Sequence, residues 1–340
     1  MTETLPPGKL PPELLASLLA SIESDPSVVV GPGIGRDAAV VRFADRLLVL
    51  KTDPITFATD EIGWYAAHVN ANDIACMGAT PRWMLVTTLL PEHSTTPALV
   101  ERIFAGLREG CESVGVSLVG GHTEITTGLD RPIVVGLMAG EAQPEDLIDP
   151  CSAKPGDTII LARGIAIEGT AILAREMTET LAGQVDRDVL ERASRFLHDP
   201  GLSVVPAARV LREALGSQLH ALHDPTEGGL ATGLRELGAA TGLGLAVEGD
   251  AIPVYPETRV LCEVFGLDPL GLIASGALLA VVAPEGVLTA LAALQEAGIP
   301  AAAIGRLTAD PHEARLTMRG TTGPLPSFAV DEIARLFAEQ

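Results

Sequence analysis

The chain has 340 residues, 44 of them acidic and 23 Lys or Arg, for a formal net charge of −21. That surplus argues against a nucleic-acid or anionic-membrane surface, and a phosphate ligand would need a divalent cation to bring it in. Hydrophobic residues make up 47% and aromatics only 3%, which predicts two domains with cores of Leu, Val, Ile and Ala.

In chain order, Pro12–Ile22 reads as a short amphipathic helix, followed by the Gly-rich loop Gly31-Pro32-Gly33-Ile34-Gly35-Arg36-Asp37. Strands Ala38–Arg42 and Arg46–Lys51 come next, the second running into Thr52-Asp53. Asp60 is placed to cap a helix from Glu61 to Met77, which ends at Gly78 with Pro81 blocking a restart. Arg82–Leu90 has the β-formers of a strand. Ala98–Val114 carries Leu99, Ile103, Leu107, Cys111 and Val114 at helical spacing. Val116–Val119 reads as a strand that enters a turn at Gly120-Gly121-His122-Thr123-Glu124, and Ile133–Ala139 as another strand.

Glu141–Gly156 is acidic and proline-bearing, which places a domain boundary there, with domains 1–147 and 148–340. The second half opens with a strand at Asp157–Ala162. Helices are predicted from about Thr170, over Leu190–Leu197, over Ala207–Leu215 and over Leu230–Ala240. Strands Leu278–Val282 and Ile304–Leu307 flank a helix at Val287–Ala297, and Val330–Phe337 closes the chain. Both halves therefore read as mixed α/β layers, the first as α+β rather than a doubly wound sheet.

Cys76, Cys111, Cys151 and Cys262 lie far apart with no Cys-x-x-Cys pair, which predicts a reducing compartment and no structural zinc. The start has no basic region followed by an apolar run, so no signal peptide is expected, and a cytoplasmic location follows. The longest apolar runs, such as Ala277–Ala283, are too short to span a bilayer.

Three aspartates stand where side chains can converge: Asp37 after the glycine loop, Asp53 at a strand end, Asp73 on the small-residue helix. Carboxylates at element ends suit a hard cation such as Mg2+, although each alone could serve a turn. Asn70 and Asp73 share a helix face, with Asn72 beside them, and buried polar groups there need partners. Lys51, one of only three lysines, sits beside Asp53 and could contact phosphate. The paired glycines Gly120-Gly121 allow close backbone approach, with His122, Thr123 and Glu124 following. In His223-Asp224-Pro225-Thr226-Glu227-Gly228-Gly229-Leu230, Thr226 is placed to cap a helix whose start could hold an anion. The histidines show no metal spacing. The chain also lacks a Gly-x-Ser-x-Gly elbow and a lysine-bearing phosphate loop.

These motifs, in this order from about Gly31 to Leu307, resemble the superfamily of aminoimidazole ribonucleotide (AIR) synthetase, selenophosphate synthetase, thiamine-monophosphate kinase and the hydrogenase maturation factor HypE. The carriers are Asp37-Ala38-Ala39-Val40, Thr52-Asp53, the Asn72-Asp73-Ile74-Ala75-Cys76-Met77-Gly78-Ala79-Thr80-Pro81 helix end, Gly120-Gly121-His122-Thr123 and Pro155-Gly156-Asp157-Thr158. The segments His223–Thr232 and Gly266-Leu267-Asp268-Pro269-Leu270 are similar to the hydrogenase maturation branch in particular.

The resemblance implies a two-domain AIR synthase-like fold, a ferredoxin-like-type sheet domain followed by an α/β domain. It implies a homodimer formed through the first domain, with ATP and Mg2+ as cofactors. It further implies metal ligands at Asp37, Asp53 and Asp73, and nucleotide contacts at Gly35, Thr52, Asn72, Gly120, Gly121, Thr123, Asp224, Thr226, Gly228 and Gly229. Lys51, His122 and Glu124 are candidates for catalysis on a small-molecule or protein-bound substrate. Two departures matter. The branch's Asp-Pro-Thr-Arg turn has an acid here, Glu227, and His122 stands where several relatives carry an aspartate. The maturation factor's chemistry uses a terminal cysteine, and no cysteine follows Cys262 here, so self-carbamoylation is not expected. A nucleotide-binding scaffold without catalysis and a small-molecule kinase are the alternative readings.

Overall fold

The computed structural model describes residues 5, 10–23, 25–33, 37–56 and 60–338. The chain divides into two compact units. The smaller holds Asp25–Gly31 and Asp37–Leu147; the larger holds Met1–Ser24, Pro32–Arg36 and Ile148–Gln340. Helix α1 (Pro12–Leu19) thus groups with the larger unit, not with the rest of the first 147 residues.

The smaller unit contains β1 (Val28–Val30), β2 (Ala39–Phe43), β3 (Arg46–Ile55), α2 (Ile62–Cys76), β4 (Thr80–Pro91), α3 (Pro97–Ser113), β5 (Ser117–Thr126) and β6 (Ile133–Ala142). Its described strands form one sheet in the order β1-β2-β3-β6-β4-β5, antiparallel except for the β4–β5 pair. This is the predicted α+β arrangement. Alternation sets the faces: Met84, Val86, Thr88 and Leu90 of β4 and Val134, Met138 and Ala142 of β6 are buried, while Trp83, Leu85 and Leu137 between them are exposed.

Helix α2 is buried at every position but Trp64, so it must meet apolar surface nearly all round. Glycines make that possible. A Cβ on Gly140 of β6 would sit 2.3 Å from Ile74 Cγ2, and one on Gly63 would sit 2.4 Å from the Ile103 carbonyl of α3. Helix α2 can therefore lie against both the sheet and α3. Its start differs from expectation. Glu61, not Asp60, is the N-cap; it is left-handed at φ 53° and makes no side-chain cap bond. By contrast, Thr96 caps α3 through the Leu99 amide.

A second difference is β5. The expected turn at Gly120-Gly121 is instead the middle of a ten-residue strand, paired from Trp83↔Ser117 to Pro91↔Thr126. A Cβ on Gly121 would fall 1.9 Å from the Val86 carbonyl, so glycine is required there by the neighbouring strand.

The larger unit continues with β7 (Thr158–Ala162), α4 (Ile167–Glu176), α5 (Thr178–Leu181), α6 (Arg187–Ser194), α7 (Val205–Leu215), β8 (Leu219–His223), α8 (Gly229–Thr241), β9 (Gly244–Glu248), α9 (Pro256–Phe265), β10 (Leu278–Val282), α10 (Val287–Glu296), β11 (Ala301–Thr308), β12 (Ala314–Met318), β13 (Thr321–Pro324) and α11 (Glu332–Ala338). Its sheet runs β13-β12-β9-β11-β7-β10-β8, antiparallel apart from β9–β12. Every residue of β8 and β10 is buried, so this sheet is covered on both faces there. Helix α4 begins at Ile167, three residues before the expected start. Its N-cap, Ala166, is left-handed, a start that carries no Ser, Thr, Asp or Asn signal.

Candidate functional site

In β3 the inward row Leu47–Val49 continues as Lys51 and Asp53 before returning to buried Ile55. Two polar residues thus occupy positions that alternation aims at α2. Asp73, on α2, meets them. Lys51 Nζ lies 3.3 Å from Asp53 Oδ2 and 3.2 Å from Asp73 Oδ2. Asp73 is the more deeply buried acid, with 7% of its side chain exposed against 31% for Asp53.

Asn70 fixes this geometry. The Asp53 amide donates to Asn70 Oδ1 at 3.0 Å, and Asn70 Nδ2 donates to the Ala66 carbonyl at 2.9 Å. Gly136, the ladder partner of Asp53, leaves room for it: a Cβ there would be 2.5 Å from Asn70 Nδ2. Asn70 is thus the asparagine whose side chain holds the Asp53 backbone. Asn72, one residue before Asp73, is also fully buried. The i, i+3 spacing of Asn70 and Asp73 was the available signal.

Asp37 is half-buried and stands two residues before Ala39, whose partner is Leu50. The antiparallel register carries it toward the Thr52–Asp53 end of β3. Thr52 is exposed, on the sheet face opposite Lys51 and Asp53. Gly35 lies outside the described residues. Gly120, Gly121 and Thr123 lie in exposed β5, where His122 Nε2 pairs with Glu124 Oε2 at 3.0 Å on the surface. Together with Val86, Thr88, Phe104 and Leu107 they line a cavity of about 430 Å³ between α3, β4 and β5.

In the larger unit, β8 delivers Asp224, buried, to the turn before α8. Thr226 does not cap the helix through its side chain; its carbonyl accepts from the Gly229 and Ala274 amides. Gly228 is the N-cap, left-handed at φ 78°, and its amide donates to Asp331 Oδ2 at 2.6 Å. The chain's own carboxylate thus already holds an amide expected to meet an anion. Gly229 is also left-handed, and a Cβ there would strike the Leu270 and Leu272 carbonyls.

Near this turn lies a group the sequence gave no reason to single out. Glu168, in the first turn of α4, is buried, and its Oε2 has no hydrogen-bond partner among the described residues. Burial pushes its carboxyl up to about 8. The nearby Ser275 hydroxyl partly offsets this without completing a hydrogen bond, and the charges of Glu227, Asp331 and Asp224 add to the rise. Asp331 is raised to about 6, chiefly by burial, against the pull of the backbone amides it accepts. Both are buried acids held toward their neutral forms.

A sheet unit in which two carboxylates flank a lysine ammonium, followed by a second mixed unit, makes this a two-domain protein of mixed α/β layers. The family models agree. AIR synthase related protein, N-terminal domain, matches residues 35–142, and AIR synthase related protein, C-terminal domain, matches 154–316. The chain belongs to the AIR synthase related family.

Within that family it is HypE-like. It is 32% identical to carbamoyl dehydratase HypE of Rhizobium leguminosarum bv. viciae over 81% of this chain and 78% of that protein. It is 28% identical to a putative hydrogenase expression/formation protein of Methanocaldococcus jannaschii, over 85% and 84% of the two chains. The crystal structure of hydrogenase maturation protein HypE in complex with ATP superposes with a TM-score of 0.70 at 26% identity, covering 93% of this chain and 90% of that one. Among the described residues no helix is long and apolar enough to cross a membrane.

Proposed function

We propose that this protein binds ATP with Mg2+ and uses it to phosphorylate or activate a small-molecule or protein-bound group. The observation that carries this reading is the convergence of Asp53 and Asp73 on a single cationic atom, Lys51 Nζ. The ammonium stands in for a cation, so the carboxylates fit one. Asp53 and Asp73 would hold the magnesium. When bound, the metal would supply charge neutralisation to a phosphate chain, which in-line phosphoryl transfer needs more than covalent help. Asn70 keeps Asp53 in place by binding its backbone on the buried side. The HypE–ATP complex supports the choice of nucleotide.

The smaller unit's outer sheet face supports a homodimer. Trp83, Leu85 and Leu137 are exposed there, and β5 is an edge strand open along nearly its full length. Apolar surface and an open ten-residue edge both call for a partner, and a second copy of this chain supplies the same strands.

Asp331 on the Gly228 amide favours a second reading, a nucleotide-binding scaffold without turnover, because an anion approaching α8 must displace a carboxylate. Phosphate release from ATP, measured with and without Mg2+, separates the two. Magnesium-dependent release supports the enzyme, and binding without release supports the scaffold. A panel of phosphate acceptors then tests for a small-molecule kinase.

A further inference from the structure

Lys51 is an unusual residue to find on the inward row of β3. Leu47 and Val49 precede it on that row and Ile55 follows Asp53, all three buried. A lysine there faces desolvation, yet its side chain is only 20% exposed. The two acids account for its position. Its ammonium bridges carboxylates from two different elements, Asp53 on β3 and Asp73 on α2, at nearly equal distances. Neutralised this way, two like charges can sit side by side where the largely buried helix α2 meets β3.

The same geometry sets up a competition. A magnesium ion binds carboxylate oxygens at about 2.0–2.1 Å. An ion drawn to Asp53 and Asp73 together would lie between them, where the ammonium now is. Two cations cannot share that place, and the long lysine stem allows the ammonium to leave it. We propose that Lys51 is a built-in counter-cation: it holds the Asp53–Asp73 pair together in the metal-free protein and is displaced when a divalent cation enters. The inference rests on the proposed metal role of these two aspartates. Lys51 then lowers metal affinity in the absence of nucleotide, while protecting the metal-free fold from an uncompensated buried acid pair.

The test uses Mn2+ as the probe, followed by its free-ion electron paramagnetic resonance signal, with full-length protein and no nucleotide. Lys51→Met should bind Mn2+ at least tenfold more tightly than the wild type. In chelator it should melt at a lower temperature, and saturating Mn2+ should raise that temperature by more than it does in the wild type. Lys51→Arg, which keeps the charge, should bind Mn2+ within about threefold of the wild type. If Lys51→Met does not fold, Lys51→Gln serves in its place. Unchanged or weaker Mn2+ binding in the neutral variants, with binding in the wild type abolished by Asp73→Asn, overturns the counter-cation role and leaves the metal site standing. No Mn2+ binding to either the wild type or the neutral variants overturns the metal reading, and this inference with it.

Discussion

Replacing Glu168 with glutamine should make the fold less sensitive to alkaline pH. In the unfolded chain the carboxyl ionises near its ordinary 4.5; in the folded protein it does so at about 8. Below 4.5 both states hold the proton and ionisation costs nothing. As pH rises from 4.5 to 8, the unfolded chain releases a proton that the folded protein retains, so folding loses stability throughout this window. Above 8 the loss is constant. At about 1.4 kcal/mol per pH unit the full loss is roughly 5 kcal/mol, and the part between pH 5 and pH 9 is about 4 kcal/mol. Glutamine keeps the shape and cannot ionise. Its buried amide adds a pH-independent cost of about 1–3 kcal/mol, so the quantity to read is the change in the difference between variant and wild type. Urea unfolding followed by circular dichroism at pH 5, 7 and 9 supplies it. The variant should gain several kcal/mol on the wild type between the extremes. A difference that stays flat across this range would refute the reasoning.

Gly136→Ala should lower stability by about 1–3 kcal/mol by thermal melting, because its methyl group meets Asn70 and Met84 closer than 3 Å. An unchanged melting temperature would mean that Asn70 can move without loss. Iodoacetamide should label Cys151 alone in the native protein, since Cys76, Cys111 and Cys262 are buried and burial raises the Cys111 and Cys262 thiols to about 11 and 12. Peptide mass spectrometry before and after denaturation checks this. Light scattering should give twice the 35.3 kDa chain mass, and Leu137→Glu on the exposed sheet face should return it to one. A wild-type monomer would contradict the dimer.

Much of this was legible in the residues. The Lys51–Asp53 pair could be placed on β3, and Asn70 and Asp73 on one face of α2, because strand and helix periods are local properties. What brings them within 3.3 Å is not local. It depends on Gly136 and Gly140 admitting α2 to the sheet, and a glycine in sequence does not say which neighbour needs the space. Gly120-Gly121 misled for the same reason: the pair reads as a turn, yet serves a strand crossing close to Val86. At Gly228 the sequence offered an open helix start, and the acceptor that fills it, Asp331, lies 103 residues away. Glu168 had no motif at all. Its chemistry comes from burial beside residues drawn from distant loops.

Calorimetric titration of ATP into the full chain, with Mg2+ and then with chelator, tests the central claim most directly, with Asp73→Asn run alongside. The account predicts saturable binding in Mg2+ that is lost in chelator and weakened at least tenfold in Asp73→Asn. Binding of equal strength without the metal, or an Asp73→Asn protein that binds like the wild type, would contradict it.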